Sequence, residues 1–120
     1  MTRRVLVVDD NHQLAENLAE LLSEEGCEVS TAFTAEAALT AAAAHHFDLV
    51  LTDIRMPGMN GVELVRRLAL HDPTSTFLLM TAYTSDQVLS AASHLGVVRA
   101  VLAKPLAVER LRGQRAPSAR

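Results

Sequence analysis

Hydrophobic and polar positions along the chain fall into two alternating textures. Five short runs rich in Val, Leu and Ile lie near residues 4–9, 28–32, 48–53, 76–81 and 98–103. Between them, apolar residues recur at helical spacing. The first run, Arg4-Val5-Leu6-Val7-Val8-Asp9, is continuously apolar before its terminal acid, which predicts a central strand covered on both faces. Strand and helix in alternation are the mark of successive βαβ units, and so of an α/β fold on a parallel sheet.

The helical segments carry their own start and stop signals. The first has Leu14, Leu18, Leu21 and Leu22 on one stripe, with Asp10 or Asn11 as N-cap and Gly26 as the stop. Thr34 caps the second, Glu36 suits its N-terminal dipole, and the alanines from Ala35 to Ala44 favour helix. His45-His46 closes it, where cationic character suits the C-terminal dipole. The third follows Gly61, turns Val62, Val65, Leu68 and Ala69 inward, and stops at Asp72-Pro73. The fourth is capped by Ser85, shows Val88, Ala91, Ala92 and Leu95, and ends at Gly96. After Lys104-Pro105 only Leu106, Val108 and Leu111 are apolar before Gly113 and Pro117, so a shortened fifth helix is expected. Five parallel strands joined by right-handed crossovers give a doubly wound sheet, and the common five-strand solution is the flavodoxin-like order 2-1-3-4-5.

A chain of 120 residues accommodates one domain. Residues 1–112 read as that domain, and 113–120, with Arg115 and Arg120, as a basic tail or the start of a linker. With 49% apolar and 21% charged residues the composition is ordinary for a globular protein, while 3% aromatics require an aliphatic core. The basic Met1-Thr2-Arg3-Arg4 is followed by only four apolar residues before Asp9, and no run approaches the ~20 residues of a spanning helix. A cytoplasmic location without membrane contact is therefore expected. Cys27 stands alone, so no internal disulfide forms. A net charge of -3 argues against direct nucleic-acid binding.

The polar residues at the strand ends carry the chemistry. Asp9 and Asp10 end the first strand, Asp53 the third, Thr81 the fourth and Lys104 the fifth. A doubly wound sheet brings all five to its carboxyl edge, beside the switch point where ligands bind. Any one of them alone is more often a turn, cap or loop residue. Together they need another account, because gathered carboxylates repel unless a hard metal or an ammonium shares their charge. An oxygen-only set without His or Cys suits Mg²⁺ rather than zinc or iron. Phosphoryl transfer asks for a positioned nucleophile and for groups that hold charged equatorial oxygens, and Asp53, bound Mg²⁺, Lys104 and Thr81 fill those places.

Val7-Val8-Asp9-Asp10-Asn11, Leu51-Thr52-Asp53-Ile54-Arg55-Met56-Pro57-Gly58-Met59-Asn60-Gly61, Met80-Thr81-Ala82-Tyr83 and Ala103-Lys104-Pro105-Leu106 occur in that order. The chain therefore resembles the receiver domains of bacterial two-component response regulators, in particular chemotaxis-regulator-like ones, from about Arg4 to Leu111. The resemblance implies that Asp53 accepts the phosphoryl group as 4-aspartylphosphate. It implies that Asp10 and Asp53 bind Mg²⁺ directly, that Asp9 helps through water, and that the Arg55 backbone carbonyl completes the protein ligands, with Mn²⁺ able to substitute. Thr81 and Lys104 then grip the phosphoryl oxygens, and Thr81, Tyr83 and the position of Val101 form the switch. Tyr83 and Arg55 are expected to overhang the phosphoryl group and slow its attack by water.

The same resemblance implies a switch rather than an enzyme, with self-catalysed phosphorylation and dephosphorylation as its only chemistry. The donor is a histidine kinase or phosphotransfer protein, and the response is a changed surface on the fourth helix and fifth strand that regulates an output protein or domain. Two features depart from the family. Val101 stands three residues before Lys104, where receivers usually carry Tyr or Phe, and Gly96 to Lys104 is one residue longer than usual, which predicts a bulge or a shifted helix end. The short fifth helix leaves dimerisation open. In the loop after Asp53, Gly58 and Gly61 are free to take positive φ. Rival readings are an aspartyl-phosphate phosphatase, which typically has a second acid where this chain has Arg55, and a binding module that never cycles phosphate. A flavin site is disfavoured because Asp9 and Asp10 repel a phosphate after the first strand.

Overall fold

The structure is a computed structural model and describes residues 2–82 and 96–104. Its elements run β1 (Arg4–Val8), α1 (His12–Glu24), β2 (Glu28–Ala32), α2 (Ala35–Ala44), β3 (Leu49–Asp53), α3 (Gly61–His71), β4 (Thr76–Thr81) and β5 (Val98–Ala103). All strand pairs are parallel, in the order β2-β1-β3-β4-β5. The five apolar runs are the five strands, except that β1 stops at Val8 and β3 begins at Leu49. The expected fourth helix, the shortened fifth helix, Tyr83 and the basic tail at 113–120 lie outside the described residues.

Strand alternation divides the core into two layers. Leu6, Val8, Val50, Phe77 and Leu79 face one side, against Ala35 and Ala38 of α2 and Leu64, Val65 and Leu68 of α3. Val5, Val7, Leu49, Leu51, Leu78 and Met80 face the other, against Ala15, Leu18 and Leu22 of α1. Each of these large aliphatic side chains contributes about 1.5 to 3 kcal/mol by leaving water, so the middle of the sheet is the most strongly held part of the domain. The carboxyl edge of the sheet is built on that buried middle. Among the described residues, no helix is long and apolar enough to cross a membrane.

Side-chain caps set where the helices begin. Asn11, not Asp10, caps α1 by accepting from the Leu14 amide at 3.1 Å, which leaves Asp10 available to the site. Thr34 and Asn60 cap α2 and α3 in the same way, at 3.0 Å each. Gly26, at φ 92°, stops α1 as expected. Gly58 has a positive φ, but Gly61 does not: it is the first residue of α3, and its role is steric.

The extra residue before Lys104 appears as a bulge. Phe77 pairs with Val98 and the next residue, Leu78, pairs with Ala100, so Arg99 has no counterpart on β4. Beyond it the ladder is regular. Val101 lies opposite Leu79 and packs against the core layer covered by α2 and α3.

His46 does something its position after α2 did not foretell. Its Nδ1 bonds Asp72 at the end of α3, and its Nε2 lies 3.4 Å from Asp48 just before β3. Asp72 is further held by the Thr74 hydroxyl and amide, which with His46 lower its pKa from 3.8 to about 2. The hydrogen bond to Asp72 raises the His46 pKa above 6.5. The tie therefore stabilises fully below pH 6.5 and is lost as pH rises through the raised His46 value. At the acid end it is present above 3.8 and is lost as pH falls through about 2. Because His46 is half exposed, solvent screening limits the gain to about 1 kcal/mol or less. In thermal unfolding, wild type should lose its advantage over His46→Gln as the pH rises above 6.5 and through the raised His46 value. An advantage that persists unchanged with rising pH contradicts the assignment.

Candidate functional site

Each strand end delivers its polar residue by a backbone bond to a neighbour. β1 hands over to Asp9, whose amide donates to the Ala32 carbonyl of β2 at 3.1 Å. Ile54, just after β3, donates to the Met80 carbonyl of β4 at 3.0 Å and so fixes the height of Asp53. The Lys104 amide donates to the Thr81 carbonyl at 2.9 Å, which ties the end of β5 to the end of β4.

Asp9 is fully buried, and both of its oxygens are engaged. Oδ1 accepts from the Asn11 amide at 3.0 Å, and Oδ2 accepts from Lys104 Nζ at 2.8 Å. The same Nζ lies 3.2 Å from Asp53 Oδ2. Asp10 is exposed on the rim. One oxygen from each of Asp9, Asp10 and Asp53 falls within 4.8 Å of the others. The cleft between them holds about 450 Å³ and is also lined by Arg55, Ala82 and Lys104.

The electrostatics follow from that packing. Burial pushes the Asp53 pKa up from 3.8, Lys104 opposes the rise, Asp9 adds to it, and an amide hydrogen bond from Arg55 opposes it again. Burial alone lowers the Lys104 pKa, but the hydrogen bond to Asp9 and the charge of Asp53 outweigh it and hold the ammonium above 10.5. Three carboxylates against one ammonium leave two negative charges in the cleft, the charge that one hard dication neutralises. The donors are all oxygen, and the exposed Asp10 stands beside the half-neutralised Asp53. The residues thus fit Mg²⁺, with Asp9 the least available of the three because its oxygens already have partners.

Asp9, Asp10, Asp53, Arg55 and Lys104 are brought together as expected. Thr81 is buried at the end of β4 and carries the Lys104 amide on its carbonyl. Val101 lies deeper, on the α3 side of the sheet, three residues before Lys104. Two contributors have no obvious signature in the sequence. A Cβ built on Gly61 would lie 2.1 Å from the Asp53 carbonyl oxygen, so α3 starts in direct contact with the backbone of the acidic residue. Thr52 is fully buried and donates its hydroxyl to that same carbonyl at 3.1 Å. The one available signal was a lone hydroxyl ending the aliphatic run Leu49-Val50-Leu51.

A family profile described as response regulator receiver domain matches residues 5–114. A response regulator receiver protein of Anaeromyxobacter sp. (strain Fw109-5) is 48% identical over 109 residues, 91% of this chain but 45% of the relative, so the chain spans less than half of that protein. A solved response regulator from Burkholderia pseudomallei, described with a phosphorylated aspartic acid, calcium ion and citrate, is 30% identical. It superposes with a TM-score of 0.88 over 98% of this chain and 68% of its own. A response regulator protein from Thermotoga maritima, described in complex with Mg²⁺ and BeF, is 33% identical with a TM-score of 0.79, over 93% and 95% of the two chains.

Proposed function

The chain belongs to the response regulator receiver domain family, and from that premise we propose that Asp53 accepts a phosphoryl group from a phosphohistidine on a partner kinase or phosphotransfer protein. The observation that carries the proposal is the gathering of three carboxylates around one buried ammonium at the carboxyl edge of the sheet. A structural role alone gives no reason for that arrangement, since like charges held together cost stability.

In this reading an ionised Asp53 oxygen attacks phosphorus, a P–O bond forms and the P–N bond to the donor imidazole breaks. The imidazole leaves with the bonding pair and is protonated. Lys104 already lies within reach of an Asp53 oxygen, so its ammonium is placed to hold a phosphoryl oxygen as charge redistributes. Thr81 supplies a hydroxyl at the adjoining strand end. Asp10 and Asp53 would hold Mg²⁺ directly, with Asp9 acting through water and the Arg55 carbonyl as a further ligand. When bound, the ion neutralises charge between the carboxylates and the phosphoryl oxygens. Mn²⁺ would serve in its place.

The new charge on Asp53 then alters the surface near Thr81 and β5 and so an output protein or domain. With Val101 and no aromatic anywhere in Val98–Ala103, that response does not run through an inward-swinging ring on β5. The domain is a switch that catalyses only its own phosphorylation and dephosphorylation, without contacting nucleic acid itself. Its boundaries are proposed at residues 1–112.

Mass spectrometry after incubation with acetyl phosphate and Mg²⁺ tests the proposal. Wild type should gain the mass of one phosphoryl group, hydroxylamine should remove it, and Asp53→Asn should gain none. An adduct of equal yield on Asp53→Asn, or none on wild type, would overturn it. Steady turnover of small phosphate esters would favour a phosphatase instead.

A further inference from the structure

The peptide unit that follows Asp53 is held at both of its polar atoms. Its carbonyl oxygen accepts from the Thr52 hydroxyl at 3.1 Å, and its amide, that of Ile54, donates to the Met80 carbonyl at 3.0 Å. The next carbonyl, that of Ile54, takes the Gly61 amide at 2.7 Å. Gly61 packs so tightly against the Asp53 carbonyl that no side-chain atom fits between them.

Packing does not explain why residue 52 is a threonine. In the register of the sheet it sits between Val8 of β1 and Leu79 of β4, both fully buried and apolar, on a strand whose other inner residues are Leu and Val. Valine has nearly the same shape and avoids burying a hydroxyl, which is unfavourable unless the hydroxyl is bonded. The bond it makes goes to the residue whose carboxylate faces Lys104.

Resting on the reading of Asp53 as phosphoacceptor, we infer that Thr52 is a positioning residue for phosphoryl acceptance, its hydroxyl setting the direction of the Asp53 carboxylate through the Asp53 carbonyl. The connection is geometric. Rotation about the Cα–C bond of Asp53 turns its carbonyl relative to its side chain, so a carbonyl held in one direction fixes the Cα–Cβ bond from which the carboxylate is carried. Without the hydroxyl, a buried carbonyl is left without that donor and gains by turning toward another. Either the carboxylate or the start of α3 then moves. A misplacement of less than 1 Å at a reacting atom is enough to slow transfer by an order of magnitude or more.

The rate of acyl phosphate formation from acetyl phosphate at saturating Mg²⁺ tests this on the full chain, in wild type, Thr52→Val, Thr52→Ser, Thr52→Ala and Val50→Ala. Val50 is buried on the same face of β3 but touches none of these bonds, so its truncation is a control for lost stability alone. Unfolding midpoints establish that each variant is folded at the assay temperature. Thr52→Val should lower the maximal rate about tenfold, with the half-saturating acetyl phosphate concentration changed less than about twofold. Thr52→Ala should match it, Thr52→Ser should recover to within about threefold of wild type, and Val50→Ala should stay near wild type. A Thr52→Val rate equal to wild type overturns the inference. So does a Val50→Ala loss as large as that of Thr52→Val, or a Thr52→Ser variant as slow as the hydroxyl-free ones. Absence of any adduct on wild type removes the acceptor reading, and this inference with it.

Discussion

Replacing Lys104 by methionine is expected to slow phosphoryl acceptance by about 10² to 10³-fold while tightening the hold on a divalent ion. Methionine keeps the length of the side chain and removes its charge. Lys104 Nζ is shared between Asp9 Oδ2 at 2.8 Å and Asp53 Oδ2 at 3.2 Å, and the side chain is only 17% exposed. Taking the ammonium away removes the cation nearest the place where phosphoryl charge collects. It also removes a competitor of the metal, whose affinity should rise roughly tenfold in calorimetry.

Stability should move with it. Asp9 is fully buried, so its carboxylate loses the cation that compensates its burial. Breaking a fully buried pair typically costs about 3 to 5 kcal/mol, and the partial exposure of Lys104 brings the expected loss to about 2 kcal/mol. Much of that loss should disappear when Mg²⁺ is added, because the ion supplies the missing positive charge. A Lys104→Met variant with a wild-type rate of phosphorylation would show that the ammonium is structural only.

Alanine at Gly61 should be more damaging to folding than any other one-methyl change at the site. The added Cβ would meet the Asp53 carbonyl oxygen at 2.1 Å and the Asp53 carbonyl carbon at 2.9 Å. Both are backbone atoms at the end of a fully buried strand, so neither yields as a flexible side chain would. α3 must back away from β3, stretching the Gly61 to Ile54 hydrogen bond and loosening the layer formed by Leu64, Val65 and Leu68. A loss of at least about 3 kcal/mol is expected in urea unfolding. A midpoint corresponding to less than about 1 kcal/mol would show that the helix start shifts freely.

Most of the architecture was legible because it depends on local pattern. A continuously apolar run such as Val5 to Val8 reads as a doubly covered strand, and five strand-like runs separated by helical stretches leave few topologies. The site was legible for a related reason: charged residues at the ends of such runs must meet at one edge. What escaped was whatever depends on contact between segments distant in the chain. His46 and Asp72 are 26 residues apart, and neither has a neighbour that announces the other. Gly61 was read as a conformational residue because glycines in loops usually are, yet its contact with the Asp53 backbone is what excludes a side chain. Thr52 stands within the run that ends at Asp53. Only the direction of its hydroxyl separates it from a valine.

The unpaired Arg99 gives the edge of the sheet a point of slack. Since a shift of one residue exchanges the two faces of a strand, any insertion or deletion in the preceding connection would ordinarily turn Lys104 away from the acids. Here the surplus residue is absorbed five positions upstream, and the stretch from Ala100 onward stays aligned with β4. The bulge thereby confines the surplus residue to the start of the last strand and insulates the reactive end from it.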